Sequence, residues 1–232
     1  MLICAIDTSG RDGSLALADA HAQSFALLHA TAIAGGTYSA QLIPTLSAAL
    51  SNAGKQRSEI ELLAVASGPG SFTGLRVGLS TVKALAEVLH VPVVAISVLE
   101  AIAFATGKQG ALLAALDAQR SEVFVGEFEA EVNAITTKRE ALVTAIDFTT
   151  WLSEKNPALV VYTPDPTIEA IVRASGSVVE RVARPGAELY ARLGFQKHLA
   201  GETSAIDELD ANYIRRSDAE IFSAPKLGIK TS

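Results

Sequence analysis

The chain has 232 residues, of which 49% are hydrophobic and 19% charged, with a net charge of −6. That balance supplies apolar material for one large or two small packed domains and excludes a disordered chain. It also argues against direct capture of nucleic acid, which needs clustered Lys and Arg to neutralise phosphates. The basic pairs Lys138-Arg139 and Arg215-Arg216 read as solvated faces rather than a footprint.

Met1 to Ile6 is an apolar run ending at Asp7, followed by two more at Gly13–Ala18 and Gln23–Thr31. Arg11-Asp12-Gly13 is a hairpin signal, because glycine accepts the backbone conformations of tight turns. The chain therefore opens as a three-stranded antiparallel meander. Cys4 lies inside the first run and is the only cysteine. No intramolecular disulfide and no metal site of several thiolates can form, and a buried core thiol is expected. No basic stretch precedes the first apolar residues and no apolar run reaches ~18 residues, so neither a signal peptide nor a membrane span is expected, and the expected compartment is the cytoplasm.

Gly35-Gly36 breaks the strand pattern. Tyr38 to Asn52 reads as a helix, with Leu42, Leu46, Ala49 and Leu50 at helical spacing and Pro44 as a kink or first-turn residue. Leu62–Ala66 is a buried strand, 67–71 a turn, Phe72–Leu89 a long helix and Val91–Ser97 a further strand. Helices that alternate with the later strands imply parallel pairing with right-handed crossovers. This is the element order of one ribonuclease-H-like half of an actin-like fold.

The rest begins to repeat it. Ala111–Leu116 ends at Asp117 as the first strand ends at Asp7, and Glu122–Phe128 alternates as a half-exposed strand does. Trp151–Lys155 closes a short helical segment, and Leu159–Tyr162 is a strand ended by Pro164 and Pro166. Ala187–Leu199 is a helix introduced by Pro185. The expected architecture is α/β: two tandem actin-like domains, the second smaller and degenerate, over residues 1–97 and 98–232. The tail from Ser217 is expected to fray.

The sharpest local signal is Ser67-Gly68-Pro69-Gly70-Ser71-Phe72-Thr73-Gly74-Leu75-Arg76-Val77-Gly78. It reads as a strand, a glycine-rich turn and a helix start that Ser71 can cap. Such a start can hold an anion, but no Gly-Lys-Ser or Gly-Lys-Thr follows, so it is not a P-loop. The alternative is a tight turn capped for stability. Beyond it, Leu75, Leu79, Val82, Ala86 and Leu89 form one apolar stripe. Val77, Ala84 and Val88 lie on another side, and Gly74 and Gly78 sit one turn apart. Either the helix is buried in one large core, or one face packs on the sheet while another meets a partner, small residues allowing close approach.

The Gly68–Arg76 stretch is similar to the signature of the TsaB/YeaZ family. Ala5-Ile6-Asp7-Thr8-Ser9 resembles that family's opening strand, and Ser39, Leu42 and Pro44 resemble its first helix. Asp117-Ala118-Gln119-Arg120-Ser121-Glu122-Val123-Phe124 and Asn212-Tyr213-Ile214-Arg215 resemble segments of its second half. Two departures stand out: Tyr38 where the family usually has His, and Gln119 in place of an Arg.

The resemblance implies a non-catalytic scaffold subunit. It implies pairing with the catalytic paralogue TsaD through N-terminal helices, with the ATPase TsaE as a third subunit. The complex transfers a threonylcarbamoyl group to the adenosine beside the tRNA anticodon. ATP and a metal would be used through the partners, with no cofactor held by this chain, and tRNA would be met only through the complex. The implied partner face involves Tyr38, Gln41, Leu42, Thr45, Leu46, Phe72, Leu75, Arg76 and Leu79. In isolation the same face is expected to pair two copies of the chain.

The residues also bear on whether the chain does chemistry itself. His21, His29, His90 and His198 include no pair three or four residues apart, so no helical pair faces one metal ion, and each reads as a surface histidine. Sugar-kinase relatives of the fold hold ATP on Asp-x-Gly turns, but here the turns are Asp7-Thr8-Ser9 and Asp117-Ala118-Gln119. A nucleotide-holding role for Asp7, Thr8 and Ser9 stays open beside a structural turn. The alternative readings are an independent nucleotide-dependent phosphotransferase, a glycoprotease-like peptidase and a purely homodimeric interaction protein.

Overall fold

The computed structural model describes residues 1–21, 24–132, 134–154, 159–211 and 214. The first half contains β1 (Leu2–Asp7), β2 (Gly13–His21), β3 (Ser24–Ile33), α1 (Tyr38–Asn52), β4 (Ile60–Gly68), α2 (Phe72–Leu89) and β5 (Val93–Ser97). These strands form a five-stranded sheet in the order β3-β2-β1-β4-β5. The meander pairs are antiparallel and the β1–β4 and β4–β5 pairs parallel, as expected.

Strand alternation sorts the side chains into two layers. Leu2, Cys4 and Ile6 of β1 join Leu15, Leu17, Leu63 and Val65 under α1 and α2. Ile3 and Ala5 join Ala16, Ala18, Ala64 and Ala66 on the opposite face. With both faces covered, β1 and β4 read as continuous apolar runs. The alanine-rich face accepts a helix at close range: a Cβ on Gly194 would stand 2.7 Å from Ala64 Cβ. The helix there is α6 (Ala187–Leu199), far later in the chain.

The second half contains α3 (Val98–Ala105), β6 (Gly110–Asp117), β7 (Glu122–Ala130), β8 (Ile135–Thr144), α4 (Ala145–Glu154), β9 (Val160–Thr163), α5 (Pro166–Ala174) and β10 (Val178–Arg181). Its sheet runs β10-β9-β6-β7-β8, which is the order of the first sheet repeated. β9 and β10 have only four residues each, so this half is smaller but keeps all five strands. Four elements lacked a sequence expectation: α3, β8, α5 and β10. Pro166 does more than end the strand before it. It opens α5, because a helix's first residues need no backbone N–H.

One core spans both sheets, holding α3, α6 and the facing strand residues, while α4 and α5 cover the far side of the second sheet. Residues 98–181 carry the second sheet, but α6 packs back on the first. Pro44 sits in the second turn of α1, which continues through it. Among the described residues, no helix is long and apolar enough to cross a membrane. Lys155 and the Asn212, Tyr213 and Arg215 positions of the C-terminal family segment, together with the tail from Ser217, lie outside the described residues.

Candidate partner face and interdomain cleft

The glycine-rich signature positions one loop. Ser71 caps α2, its Oγ accepting from the Gly74 N–H at 3.3 Å. The Ser71 N–H in turn donates to Ser9 O at 2.7 Å. The loop after β1 lies flat against this helix start. A Cβ on Gly70 would stand 2.3 Å from Ser9 O, one on Gly74 2.1 Å from Thr8 O, and one on Gly78 2.3 Å from Thr8 Oγ1. Gly74 and Gly78 are therefore small to admit the Thr8 loop of the same chain, not a partner helix.

Asp7, Thr8 and Ser9 are all buried. The Asp7 Oδ1 accepts the Ser9 N–H at 2.8 Å. Burial pushes the Asp7 carboxyl up, opposed by the Ser9 hydrogen bonds and the nearby Arg184 guanidinium. Thr8 Oγ1 is buried without a hydrogen-bond partner. Of the three, only Ser9 lines the open cleft between the halves. Asp7 and Thr8 thus form the floor beneath that turn.

The residues expected at a partner face divide into two sets. Tyr38, Leu42, Leu46, Leu75 and Leu79 are buried in the core beneath α1 and α2, so they support the face without forming it. This corrects their expected role as contacts: their helical spacing is that of the core stripe. Gln41, Phe72 and Arg76 are exposed and Thr45 is half-buried. Arg76 lies over the Phe72 ring, 3.8 Å from its centroid. Tyr38, standing where the family usually has His, reaches the carbonyls of Gly10 and Arg11 at 3.0 Å each and fastens α1 to the β1–β2 turn.

Of the second side expected on α2, Ala84 and Val88 are exposed and Val77 is half-buried. Ile43 and Val88 are 49% and 66% exposed. Phe72, Arg76, Ser80, Ala84 and Val88 are exposed at four-residue intervals on one side of α2. α1 contains no charged residue in its 15 positions, although Ala40, Ile43, Pro44 and Ala48 face outward. The signal was present in the sequence as that lack of charge.

The two halves face each other across a cleft of about 1130 Å³. Its walls repeat: Asp117 Oδ1 accepts the Gln119 N–H at 2.7 Å, as Asp7 accepts that of Ser9. Gln119, Arg120 and Ser121 all have positive φ, 62°, 55° and 61°, in the turn joining β6 to β7. Arg11, Arg76, Arg120 and Arg184 line the cleft. Arg184 Nη2 donates to Ser9 Oγ at 3.1 Å from 175 positions away, and no sequence pattern pointed to it.

The histidines are dispersed. His21 and His90 are exposed, whereas His29 and His198 are half-buried rather than superficial. Among the described residues no group of three or more His, Cys, Asp and Glu converges as metal ligands would.

Comparison with known proteins gives three findings. The family model described as "TsaD: tRNA N6-adenosine threonylcarbamoyltransferase" matches residues 32–206. The tRNA threonylcarbamoyladenosine biosynthesis protein TsaB of Escherichia coli K12 is 29% identical over 187 residues, 77% of this chain and 81% of that one. The same-named protein of Haemophilus influenzae is 32% identical over 130 residues, 55% of this chain and 53% of that one. The fold is shared with YeaZ from Pseudomonas aeruginosa, with a TM-score of 0.73 and 23% identity over 91% of this chain and 100% of that one.

Proposed function

The chain belongs to the TsaB (YeaZ) branch of the tRNA threonylcarbamoyladenosine family, and from that premise we propose that it is the scaffold subunit of the machinery that makes this modification. In this reading it pairs with a catalytic TsaD subunit, joined by the ATPase TsaE, and carries out no bond-making itself. ATP and metal are used through those partners, and tRNA is met through the assembled complex.

The observation that carries the reading is the uncharged outer surface of α1 beside the exposed α2 stripe. A soluble helix ordinarily sets charged residues against water. Here Ile43, Phe72 and Val88 are exposed instead. Burying about 25 cal/mol per Å² of such surface favours association, and two helices from each partner can form a four-helix contact. Core residues Leu42, Leu46, Leu75 and Leu79 hold the two helices in place from below. Without the catalytic subunit, a second copy covers the same surface.

Reconstitution tests this. The chain is mixed with TsaD and TsaE of the same source, ATP, the threonylcarbamoyl donor system and unmodified tRNA, and each protein is omitted in turn. Modified adenosine is expected only when this chain and its partners are all present. Product formed without this chain, or by this chain alone, overturns the reading.

A further inference from the structure

We propose that the outer edge of β3 takes an extended, uncharged segment of another polypeptide as an added strand. β3 is the last strand on its side of the first sheet, and among the described residues no strand pairs with its far side. An edge of this kind presents a row of main-chain N–H and C=O groups. A further strand is the partner whose own main-chain groups match that row.

The other three sheet edges are each blunted. The outer side of β5 is occupied by the segment after α6: the Ser204 N–H donates to Val93 O at 2.8 Å, and Ser204 Oγ accepts the Ala95 N–H at 3.2 Å. β8 carries Lys138, Arg139 and Glu140 at its centre, and β10 has four residues and ends on Glu180 and Arg181. Charge, shortness and a covering segment are ordinary ways of keeping a sheet edge from pairing. β3 has none of them. It runs ten residues without Asp, Glu, Lys, Arg or Pro. It lies in the stretch 20–54, which holds no Asp, Glu, Lys or Arg, although these make up 19% of the chain.

The strand also sets the chemistry of its partner. Leu27 and Leu28 are 48% and 37% exposed. A charged segment laid beside them would lose hydration without gaining a counter-charge, so the edge selects an uncharged one. Its one interruption is a bulge: Leu17 faces His29 and Ala18 faces Leu27, leaving Leu28 unmatched. The bulge divides the edge into residues 24–27 and 29–33 and so limits the added strand to short runs. Pairing at β3 does not depend on the reading of α1 and α2, because main-chain groups recognise the one and side chains the other.

Hydrogen exchange on the full chain tests the proposal, with an end-capped peptide of alternating threonine and valine, both strand formers, as the probe. Slowed exchange is expected within β3 and not within β8. The same peptide methylated at every main-chain nitrogen has no N–H to donate and should give no protection. Leu27→Lys and Leu28→Lys each place a charge on the edge and should abolish the protection, with the thermal midpoint unchanged because both positions face solvent. Ile43→Glu should leave the protection intact. No protection of β3 by millimolar peptide overturns the proposal, as does equal protection by the methylated peptide or in both lysine variants. Protection lost in Ile43→Glu places the peptide on α1, with the same consequence. Self-association that survives Ile43→Glu and Val88→Glu but disappears with Leu27→Lys gives the edge to a second copy of this chain and likewise overturns the proposal.

Discussion

Gly78 and Thr8 share one space: the position a Gly78 Cβ would occupy lies 2.3 Å from Thr8 Oγ1, a fully buried atom without a hydrogen-bond partner. The contact joins the turn after β1 to the middle of α2. It explains a glycine inside a helix, where glycine otherwise costs roughly 1 kcal/mol against alanine.

Gly78→Ala should therefore destabilise the chain by about 1–3 kcal/mol through overpacking, despite alanine's better helix propensity. Thr8→Ala removes the obstructing Oγ1, so the double variant should be more stable than the sum of the singles predicts. Urea unfolding of the four proteins measures this coupling. Strict additivity would mean that the Gly78–Thr8 contact is not what requires the glycine.

Ser121 has φ 61° in the β6–β7 turn, a conformation that glycine adopts without the penalty of a Cβ. Ser121→Gly should stabilise the chain by about 1 kcal/mol. Thermal unfolding reads this as a raised midpoint. An unchanged or lowered midpoint would show that the turn is not strained at this residue.

Glu100 on α3 is buried and pairs with Lys197 on α6 at 2.7 Å. Burial pushes the Glu100 carboxyl above its ordinary value of 4.5, with Lys197 pulling the other way. Lys197 is shifted up, its own partial burial outweighed by Glu100 and Glu202. The two directions agree with the geometry, since Glu100 is the more deeply buried partner. A carboxyl raised in the folded state binds its proton more readily there than in the unfolded chain. This group's contribution therefore falls as pH rises from the ordinary glutamate value through the raised one. Lys197→Met should cost about 3 kcal/mol at pH 7 by leaving a buried carboxylate unpaired. Part of that loss should be recovered at pH 5. Equal losses at both pH values, measured by urea unfolding, would remove Glu100 ionisation from the account.

Ile43 and Val88 are exposed while Leu46 is buried. Ile43→Glu and Val88→Glu should leave the thermal midpoint nearly unchanged, and where the wild-type chain sediments as the proposed dimer these variants should sediment as monomers. Leu46→Glu should instead unfold it, because the introduced charge would be buried without a partner. Retained dimers in both surface variants would move the self-association face away from α1 and α2.

Cys4 is fully buried, and burial pushes its thiol up to about 12. It should react with a thiol reagent only as fast as the protein opens, and at once in denaturant. Fast labelling of the folded chain would contradict its place in the core.

The sequence by itself determined the helices α1, α2 and α6. It determined the opening meander and the repeat that begins at Asp117. These depend on local signals: apolar spacing, turn glycines, and prolines at helix starts. It also carried the family resemblance, because the 67–78 signature must fit a backbone contact that few residue sets allow. The tertiary structure decided that Ile43 is exposed while its apolar neighbour Leu42 is buried against the sheet, a division the spacing of the core stripe outlined without fixing. It alone brought Arg184 to Ser9 and set the four arginines around one cleft. Local pattern cannot encode such contacts, because a side chain's partners 175 positions away depend on how two sheets and a returning helix are packed.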